Sequence, residues 1–422
     1  MRALEQRRAR PTPFGQAQTA RRHKPDYWLL ILTLTLLGVG LIIVYSISPA
    51  LAVEKGTSGN QYVIRQLIGI ALGLGLFAVS AKVPLQVWRS LCIPLLAAAG
   101  VATLLTLLLP VNQEYPAHRW IRLGGFSFQS VELLKFAIII WLAGFLVYRM
   151  ERGLIDSFQK TIRPLLLVLV GIAIIVAGLQ SDFGSAAVIV AMMTAMVFVA
   201  GIPIKRIIML AGVVVIGSVL LIAPSDYRRD RLATFMNPEA DCMSTGYQAC
   251  QALIAVGSGG MAGLGLGNSV QAYGYLPEAE NDSIFAIHAE KFGFIGSVSL
   301  LGLMLALYTR IKRVADRAPD DFSRLVVVGI LVWLSTQTII NVGAMTGLLP
   351  LKGITLPLIS YGGSSVLMIL AVLGVVFQVS RYTNLSTARG GDGYKGGSYD
   401  NSRNGRRVRG AYNPALGSRG RA

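Results

Sequence analysis

Residues 27–47 read YWLLILTLTLLGVGLIIVYSI and contain no charged side chain. At a rise of about 1.5 Å per residue, a helix of this length crosses a hydrocarbon core of about 30 Å. Similar apolar runs, bounded by charged residues, Pro or Gly, follow along the chain. They lie at residues 64–81, 90–109, 131–148, 164–179, 185–200, 207–222, 284–308, 325–348 and 363–379. The sequence therefore predicts an all-α polytopic membrane protein with ten transmembrane helices.

The composition agrees with a membrane protein and excludes an ordinary soluble globule. Of the 422 residues, 53% are hydrophobic and 14% are charged, and the mean hydropathy is +0.58. A soluble domain carries about 25% charged residues. The chain has three cysteines, a number that excludes a disulfide-rich scaffold and a cysteine-based zinc or iron–sulfur site.

The formal charge of +18 is divided unevenly between the two sides of the predicted membrane. If the N-terminus is cytoplasmic, the inner segments hold 29 of the 39 Lys and Arg residues but only 9 of the 21 Asp and Glu residues. Because Lys and Arg in short loops favour the cytoplasmic side, both termini are expected there. The excess positive charge is expected to contact anionic lipid headgroups.

Two terminal segments flank the predicted membrane domain, residues 25–383. The N-terminal tail, residues 1–24, is rich in Arg, and the C-terminal tail, residues 384–422, is rich in Gly, Ser, Arg and Asn. Both are predicted to be disordered, because neither has enough apolar residues to bury. Basic Gly-rich tails also occur in RNA-binding proteins, but beside a membrane we favour contact with the lipid bilayer and expect no nucleic acid partner.

One predicted outer loop, residues 223–283, is far longer than the other connections, and loops of this length are usually functional or disordered. Its residues 247–256, YQACQALIAV, have the pattern of an amphipathic helix. The stretch that follows, SGGMAGLGLGNS, is dense in Gly and lets the backbone approach another group closely. It does not follow a strand and lacks the Lys-Ser/Thr of a phosphate-binding loop, so a nucleotide site is not expected.

Two of the cysteines, Cys242 and Cys250, lie in this outer loop, where oxidation is permitted. Their separation of eight residues is compatible with a disulfide. A helix that begins near Tyr247 could instead hold the two side chains apart. The sequence leaves this pairing open.

Ionisable residues inside apolar runs are costly and are therefore candidates for function. Glu132 and Lys135 are spaced i, i+3 at the start of the fourth run, where they form either a self-satisfied ion pair or part of a functional cavity. Asp182, between the fifth and sixth runs, suits the N-cap of the next helix. His288 has no second His nearby, which favours an interfacial residue over a metal ligand.

Three carboxylates, Glu278, Glu280 and Asp282, lie within five residues at the entrance to the eighth run. Crowded negative charges raise the pKa of a carboxyl group toward the range in which it accepts a proton near neutral pH. Carboxylate oxygens also suit a divalent cation. A solvated acidic loop without function is the competing interpretation of the same residues.

Four separate stretches resemble the SEDS family (shape, elongation, division and sporulation), the FtsW/RodA polymerases of peptidoglycan, over most of residues 25–383. AHRWIRLGGFSFQSVELLK (117–135) is similar to the family's RWI…GFSFQPSELxK segment. LQSDFGSAAVIV (179–190) is similar to its QPDFGTA segment. GYQACQALIAVGSGGMAGLGLGNSVQ and YLPEAENDSIFAI (within 246–287) resemble the long-loop signature, and NVGAMTGLLPLKGITLPLISYGGSS (341–365) resembles the last outer loop.

The resemblance implies a glycosyltransferase that polymerises lipid II, the undecaprenyl-pyrophosphate-linked disaccharide-peptide, on the outer face of the cytoplasmic membrane. The family's essential Asp aligns with Asp282. Its intramembrane acidic and basic pair aligns with Glu132 and Lys135, and the Lys of its last outer loop aligns with Lys352.

The chemistry of this reaction suggests a role for each candidate residue. The 4-OH of the acceptor sugar is a poor nucleophile, so we assign Asp282 as its general base. The pyrophosphate leaving group needs cations, for which Lys352, Lys135 and Arg119 are candidates, with Mg²⁺ or Mn²⁺ as a further one. Glu278 is a candidate substrate-binding residue. Attack opposite the pyrophosphate would invert the anomeric centre.

The resemblance also implies partners and a location. The expected partners are lipid II, the nascent glycan strand, a class B penicillin-binding protein that cross-links the strand, and other divisome proteins. The YLPEA and GLGLGNS stretches favour the division branch, at the septum, over the elongation branch. A lipid II flippase and a non-catalytic scaffold are the competing function classes.

Several positions depart from the family pattern. Ser130 and Ser181 replace two prolines, which puts the local backbone in question more than the chemistry. Glu280 adds a carboxylate near Asp282, and Lys291 replaces the second Glu of a pair lower in the span. The extra carboxylate is expected to affect the pKa of Asp282 or the affinity for a metal.

Overall fold

The computed structural model describes residues 21–109, 119–123, 126–222, 235–236, 242–244 and 246–383. The regular structure of these residues is almost entirely helical, as the apolar runs predict. The helices are α1 (Tyr27–Lys55), α2 (Gln61–Ser80), α3 (Leu85–Ser90), α4 (Cys92–Leu108), α5 (Ser130–Glu151), α6 (Arg163–Ile172), α7 (Phe183–Val199), α8 (Ile204–Ile222), α9 (Tyr247–Ser258), α10 (Ile284–Asp316), α11 (Asp321–Met345) and α12 (Gly363–Val379). Helix α6 lies between two π-helical segments, Phe158–Ile162 and Ala173–Leu179. The short strands are β1 (Arg21–Arg22), β2 (Trp120–Leu123), β3 (Phe126–Gln129) and β4 (Tyr382–Thr383).

The lengths and composition of these helices make the chain a multi-pass membrane protein. In the described part of the chain, six stretches are long and apolar enough to cross a membrane, namely Tyr27–Val53, Gln61–Ser80, Ser130–Glu151, Phe158–Leu179, Ile284–Asp316 and Asp321–Met345. Helices α4, α7 and α12 are shorter apolar helices of 17 residues each. Each predicted apolar run overlaps a helix, while the count of ten crossings stays a prediction.

The two described ends of the chain lie side by side. Strand β1 pairs with β4 in an antiparallel two-stranded sheet, so the N-terminal and C-terminal segments meet on the same side of the protein. That this side is cytoplasmic stays a prediction. Apart from residues 21–24, the predicted disordered tails, 1–24 and 384–422, fall outside the described residues, as does most of 223–245 in the long loop.

Helix α5 lies at the centre of the described helices, because it packs against α4, α7 and α11. Its residues Val131, Ile139 and Leu142 are completely buried. Helix α11 approaches it closely through Gly329, where an added Cβ would lie 3.0 Å from the side chain of Ile139. This close packing shields the polar residues of α5 from lipid.

Helix α10 is broken at Gly293, whose φ of 66° and ψ of −163° are not helical. The Gly-rich loop binds the backbone groups that the break releases. The amides of residues 264–265 donate to the carbonyls of residues 290–291, at 2.9 and 3.0 Å, and the amides of residues 294–295 donate to the carbonyls of residues 260–261, at 2.9 and 3.1 Å. Since an unpaired backbone group is costly when it is buried, the loop and the broken helix depend on each other.

Helix α9 confirms the predicted helix of the long loop, and the open question of the disulfide is answered there. Cys242 and Cys250 form a disulfide, with their Cα atoms 5.6 Å apart. Cys250 lies in the first turn of α9, and the chain before the helix folds back, since the amide of Tyr247 donates to the carbonyl of Ser244 at 3.2 Å. The start of the helix therefore does not hold the two cysteines apart.

We predict that Gly259→Ala destabilises the protein and that Gly257→Ala does not. An added Cβ at Gly259 would lie 2.0 Å from the carbonyl oxygen of Ala289 in α10, whereas a Cβ at Gly257 meets nothing within 4 Å. Overpacking of this kind costs roughly 1–3 kcal/mol. Thermal unfolding of the two purified variants should show a lower midpoint for Gly259→Ala alone, and equal midpoints would contradict the close contact.

Peptide mapping by mass spectrometry without a reducing agent should recover a disulfide-linked pair that contains Cys242 and Cys250. Cys92, a free thiol in α4, should react with an alkylating reagent after denaturation and serves as the control. Recovery of all three cysteines as alkylated peptides would contradict the disulfide.

Candidate active site

The candidate base Asp282 follows a tight turn that leads into α10. Glu278 adopts a left-handed backbone conformation, with φ of 52°. Its carbonyl accepts hydrogen bonds from the amides of Asn281 and Ser283, at 3.0 and 3.1 Å. Its carboxylate accepts a further bond from Nδ2 of Asn281. Glu278 therefore shapes the turn that presents Asp282, in addition to any contact with a substrate.

This turn is bound to the last outer loop and to α11 by three hydrogen bonds. The carbonyl oxygens of residues 280–282 accept them in sequence. The amide of Tyr361 donates to the first at 2.8 Å, the hydroxyl of Ser360 to the second at 2.6 Å, and Nδ2 of Asn341 to the third at 2.7 Å. The backbone on both sides of the candidate base is thus held by residues that are distant in sequence.

Arg119 and Asp282 both approach the same residue, Gly353. Both Nη1 of Arg119 and Oδ2 of Asp282 are 3.7 Å from the position that a Cβ would take at Gly353. Arg119 is oriented by the turn before α7, since its Nε donates to the carbonyl of Gln180 at 3.1 Å and its Nη2 to the carbonyl of Ser181. A carboxylate and a guanidinium therefore approach the same small residue, Gly353.

Lys352 precedes Gly353 and brings a second cation to the same region. Its Nζ lies 5.2 Å from the centroid of the Phe183 ring, at the start of α7. An added Cβ at Gly184 would lie 3.3 Å from the Cβ of Lys352, so the loop packs directly on this helix. The structure thus brings together three of the predicted site residues, Asp282, Arg119 and Lys352.

Glu132 and Lys135 form an ion pair inside α5. Nζ of Lys135 lies 2.6 Å from Oε1 of Glu132, and the exposed fractions of the two residues are 1% and 3%. Nζ of Lys135 also lies 4.8 Å from the centroid of the Trp333 ring. Oε2 of Glu132 is buried and has no hydrogen-bond partner among the described residues. The pair is therefore only partly self-satisfied, and one carboxylate oxygen remains available to accept a hydrogen bond.

Gln337 connects this ion pair to the last outer loop, a role that the sequence did not predict. Its Oε1 accepts from Nζ of Lys135 at 3.3 Å and from Nε1 of Trp333 at 2.7 Å. Its Nε2 donates to the carbonyl of Thr355 at 2.9 Å. Gln337 and Asn341 are spaced i, i+4 in an apolar run, and this pattern of two buried amides was the available signal.

The turn before α7 confirms Asp182 as the N-cap and explains one departure from the family pattern. Oδ1 of Asp182 accepts from the amide of Ser185 at 3.0 Å, and Oδ2 accepts from Nε2 of Gln129 at 3.3 Å. Ser181 has a φ of 54°. Proline fixes φ near about −65° and could not adopt this conformation, so the absence of proline here accompanies a different local backbone.

Glu290, near the start of α10, has a structural role. Glu290 is completely buried and accepts three hydrogen bonds at the end of the Gly-rich loop, from the hydroxyl of Ser269 and from the amides of Val270 and Gln271. The residues that the structure describes contain no group of three or more His, Cys, Asp or Glu side chains that could hold a metal ion. A divalent cation stays a prediction, and no step below uses one.

Comparisons with known proteins agree with this architecture. Residues 27–385 match the cell cycle protein family FTSW_RODA_SPOVE. A probable peptidoglycan glycosyltransferase FtsW from Coxiella burnetii is 41% identical over 364 residues, which are 85% of this chain and 96% of that protein. Stage V sporulation protein E from Bacillus subtilis is 38% identical over 366 residues, 86% of this chain and 99% of the relative.

Solved structures have the same fold. A chain of a peptidoglycan synthase complex, in which polymerization and crosslinking are structurally coordinated, superposes with a TM-score of 0.67 at 26% identity, over 85% of this chain and 98% of its own length. The rod shape determining protein RodA from Thermus thermophilus superposes with a TM-score of 0.59 at 26% identity, over 85% and 97%. The resemblance predicted from the sequence is thus confirmed, and the chain belongs to the FTSW_RODA_SPOVE (SEDS) family of cell cycle proteins.

Proposed function

We propose that this chain is a peptidoglycan glycosyltransferase that polymerises lipid II during septal wall synthesis. The observation that carries the proposal is that the Asp282 carboxylate and the Arg119 guanidinium both approach Gly353. This reaction needs a base for the acceptor and a cation for the anionic leaving group on opposite sides of one anomeric carbon, and therefore a few ångströms apart. The names of relatives such as the FtsW of Coxiella burnetii support the same activity.

Asp282 acts as the general base. The 4-OH of the acceptor sugar attacks the anomeric carbon of the donor, and a carboxylate within hydrogen-bond reach accepts its proton as the new bond forms. The hydrogen bonds to the carbonyls of residues 280–282 hold the backbone that carries this carboxylate in place before the substrate arrives. Such preorganisation removes part of the entropy cost of the transition state.

Arg119 and Lys352 stabilise the departing undecaprenyl pyrophosphate. Negative charge grows on the bridging oxygen as the bond to the anomeric carbon breaks, and a guanidinium and an ammonium are suited to receive it. The hydrogen bonds of Arg119 to the turn before α7 keep its charge directed at the site. Attack from the side opposite the leaving group gives inversion at the anomeric carbon.

Glu132 and Lys135 bind a polar part of the substrate near the membrane surface. The buried Oε2 of Glu132, which has no hydrogen-bond partner among the described residues, supports this role, because a pair that served packing alone would be expected to satisfy both oxygens. Lys135 is linked through Gln337 to the loop that carries Lys352. A polar headgroup bound by Glu132 and Lys135 would therefore be connected through Gln337 to the loop that carries Lys352.

The proposed setting is the outer face of the bacterial cytoplasmic membrane at the division septum, with ten spans and both termini in the cytoplasm. The peptidoglycan synthase complex among the structural neighbours supports a class B penicillin-binding protein as the partner. Divisome proteins and the nascent glycan strand are further proposed partners. The division branch is preferred to the elongation branch because of the FtsW relatives.

We predict that Asp282→Asn lowers the rate of lipid II polymerisation by about 10²–10⁴-fold, because the amide is isosteric with the carboxylate but cannot accept the proton. The measurement uses purified protein with its transpeptidase partner and purified lipid II, and glycan strands are resolved on gels. Asp316→Asn, which removes an exposed carboxylate paired with Lys312 in α10, is the control and should leave the rate unchanged.

An Asp282→Asn variant that polymerises at the wild-type rate would refute the base assignment. If wild-type protein forms no glycan while it moves lipid II across the bilayer of a liposome, the flippase reading would replace the glycosyltransferase.

The ion pair in α5 allows stability and function to be separated. Glu132→Gln or Lys135→Met alone leaves one buried charge without its partner and should destabilise the protein by about 3–5 kcal/mol. The double variant removes both charges, so its thermal unfolding midpoint should recover while its polymerisation rate stays low. A double variant that is both stable and as active as wild type would show that the pair serves packing alone.

A further inference from the structure

We infer that Asn341 is a positioning residue that helps to fix the separation between the candidate base, Asp282, and the last outer loop, which carries Lys352. The inference rests on the proposed function, because it concerns the same site. Asn341 lies on α11 and is 1% exposed. Its Nδ2 donates to the carbonyl of Asp282 and to the carbonyl of Ile354, each at 2.7 Å.

The two carbonyls belong to the two segments that carry the reactive charges. One is the carbonyl of Asp282 itself. The other is that of Ile354, which follows Lys352 and Gly353. Because a side-chain amide has two N–H donors on one nitrogen, a single atom of Asn341 binds both segments at the positions next to their reactive charges. Asp282 and Ile354 are separated by more than seventy positions in the chain, so no local geometry could do this.

Asn341 connects the two segments to a membrane helix, α11. Tyr361 and Ser360 also bind the turn before α10, but they belong to the last outer loop themselves. Among the hydrogen bonds described for the carbonyls of residues 280–282, the bond from Asn341 is the one that originates in a membrane helix. Gln337 of the same helix holds the last outer loop through the carbonyl of Thr355, whereas Asn341 binds both outer segments to α11 at once.

The chemical identity of Asn341 matters for this role. Its Oδ1 is buried and has no hydrogen-bond partner among the described residues, so the side chain acts here through the N–H groups of its amide. An ionised Asp at the same position fills the same volume but presents acceptors to two carbonyls. A Ser keeps one donor, and an Ala keeps none. If Asn341 acts as a hydrogen-bond donor, activity should fall in the order Ser, Ala, Asp. If it acts through packing alone, Asp should retain more activity than Ala because it fills the same volume.

The test compares Asn341→Ser, Asn341→Ala and Asn341→Asp with wild type, in complex with the transpeptidase partner and with purified lipid II as the probe. We expect kcat to fall in the order wild type, Ser, Ala, Asp, with a loss of about 10–100-fold for Asp, since small displacements of reacting groups have effects of this size. The KM for lipid II should change by less than about threefold, because Asn341 holds the base rather than the substrate.

Ser335→Ala is the matched control, because it removes a partly buried hydroxyl from α11 whose hydrogen bond goes to the carbonyl of Val332 in the same helix. It should keep the wild-type kcat. Rates are normalised to the folded fraction measured by size-exclusion chromatography. If Asn341→Asp does not fold, the comparison of Ser with Ala decides, and equal kcat values for these two overturn the inference.

Two results would overturn the positioning role while leaving the proposed function intact. One is wild-type kcat in all three Asn341 variants when Asp282→Asn is inactive. The other is a higher kcat for Asn341→Asp than for Asn341→Ala, which would assign packing rather than donation to this residue. Failure of the wild-type protein to polymerise lipid II would instead refute the proposed function itself.

Discussion

Buried polar groups need hydrogen-bond partners within the protein, and the candidate site is arranged around this constraint. The break in α10 releases backbone carbonyls and amides, and the Gly-rich loop supplies their partners between residues 260 and 265. Such a loop can approach a helix only where side chains are absent, which is why Gly259 touches the carbonyl of Ala289. The loop that carries Asp282 is thereby fixed to the helix bundle before any substrate binds.

The same constraint explains how the ion pair of α5 is connected to the candidate base. Glu132 and Lys135 are buried in α5, and Lys135 must find further partners because a single ion pair does not compensate for its loss of water. Gln337 supplies one of them and also donates a hydrogen bond to the last outer loop. One turn later, Asn341 binds the backbone of Asp282. One face of α11 thus joins the ion pair to the candidate base.

The sequence was informative where a short stretch determines its own structure. Apolar runs predicted the helices, and the position of Asp182 predicted its N-cap. The break at Gly293 was missed, because the surrounding residues have the pattern of one continuous helix and the stabilising groups come from another segment. Gln337 and Asn341 were missed for a related reason: an amide in an apolar helix does not reveal its partner when that partner lies tens of residues away. The disulfide between Cys242 and Cys250 was left open for a different reason, because the sequence does not reveal that the chain folds back before α9.

The central claim is that an ionised Asp282 accepts the proton of the acceptor hydroxyl. The most direct measurement is the pH dependence of the polymerisation rate at saturating lipid II, for wild type and for the residual rate of Asp282→Asn. The claim predicts that the wild-type rate falls on the acid side, as the carboxylate becomes protonated, and that the residual rate of the variant lacks this acid limb. An identical acid limb in both proteins would contradict it.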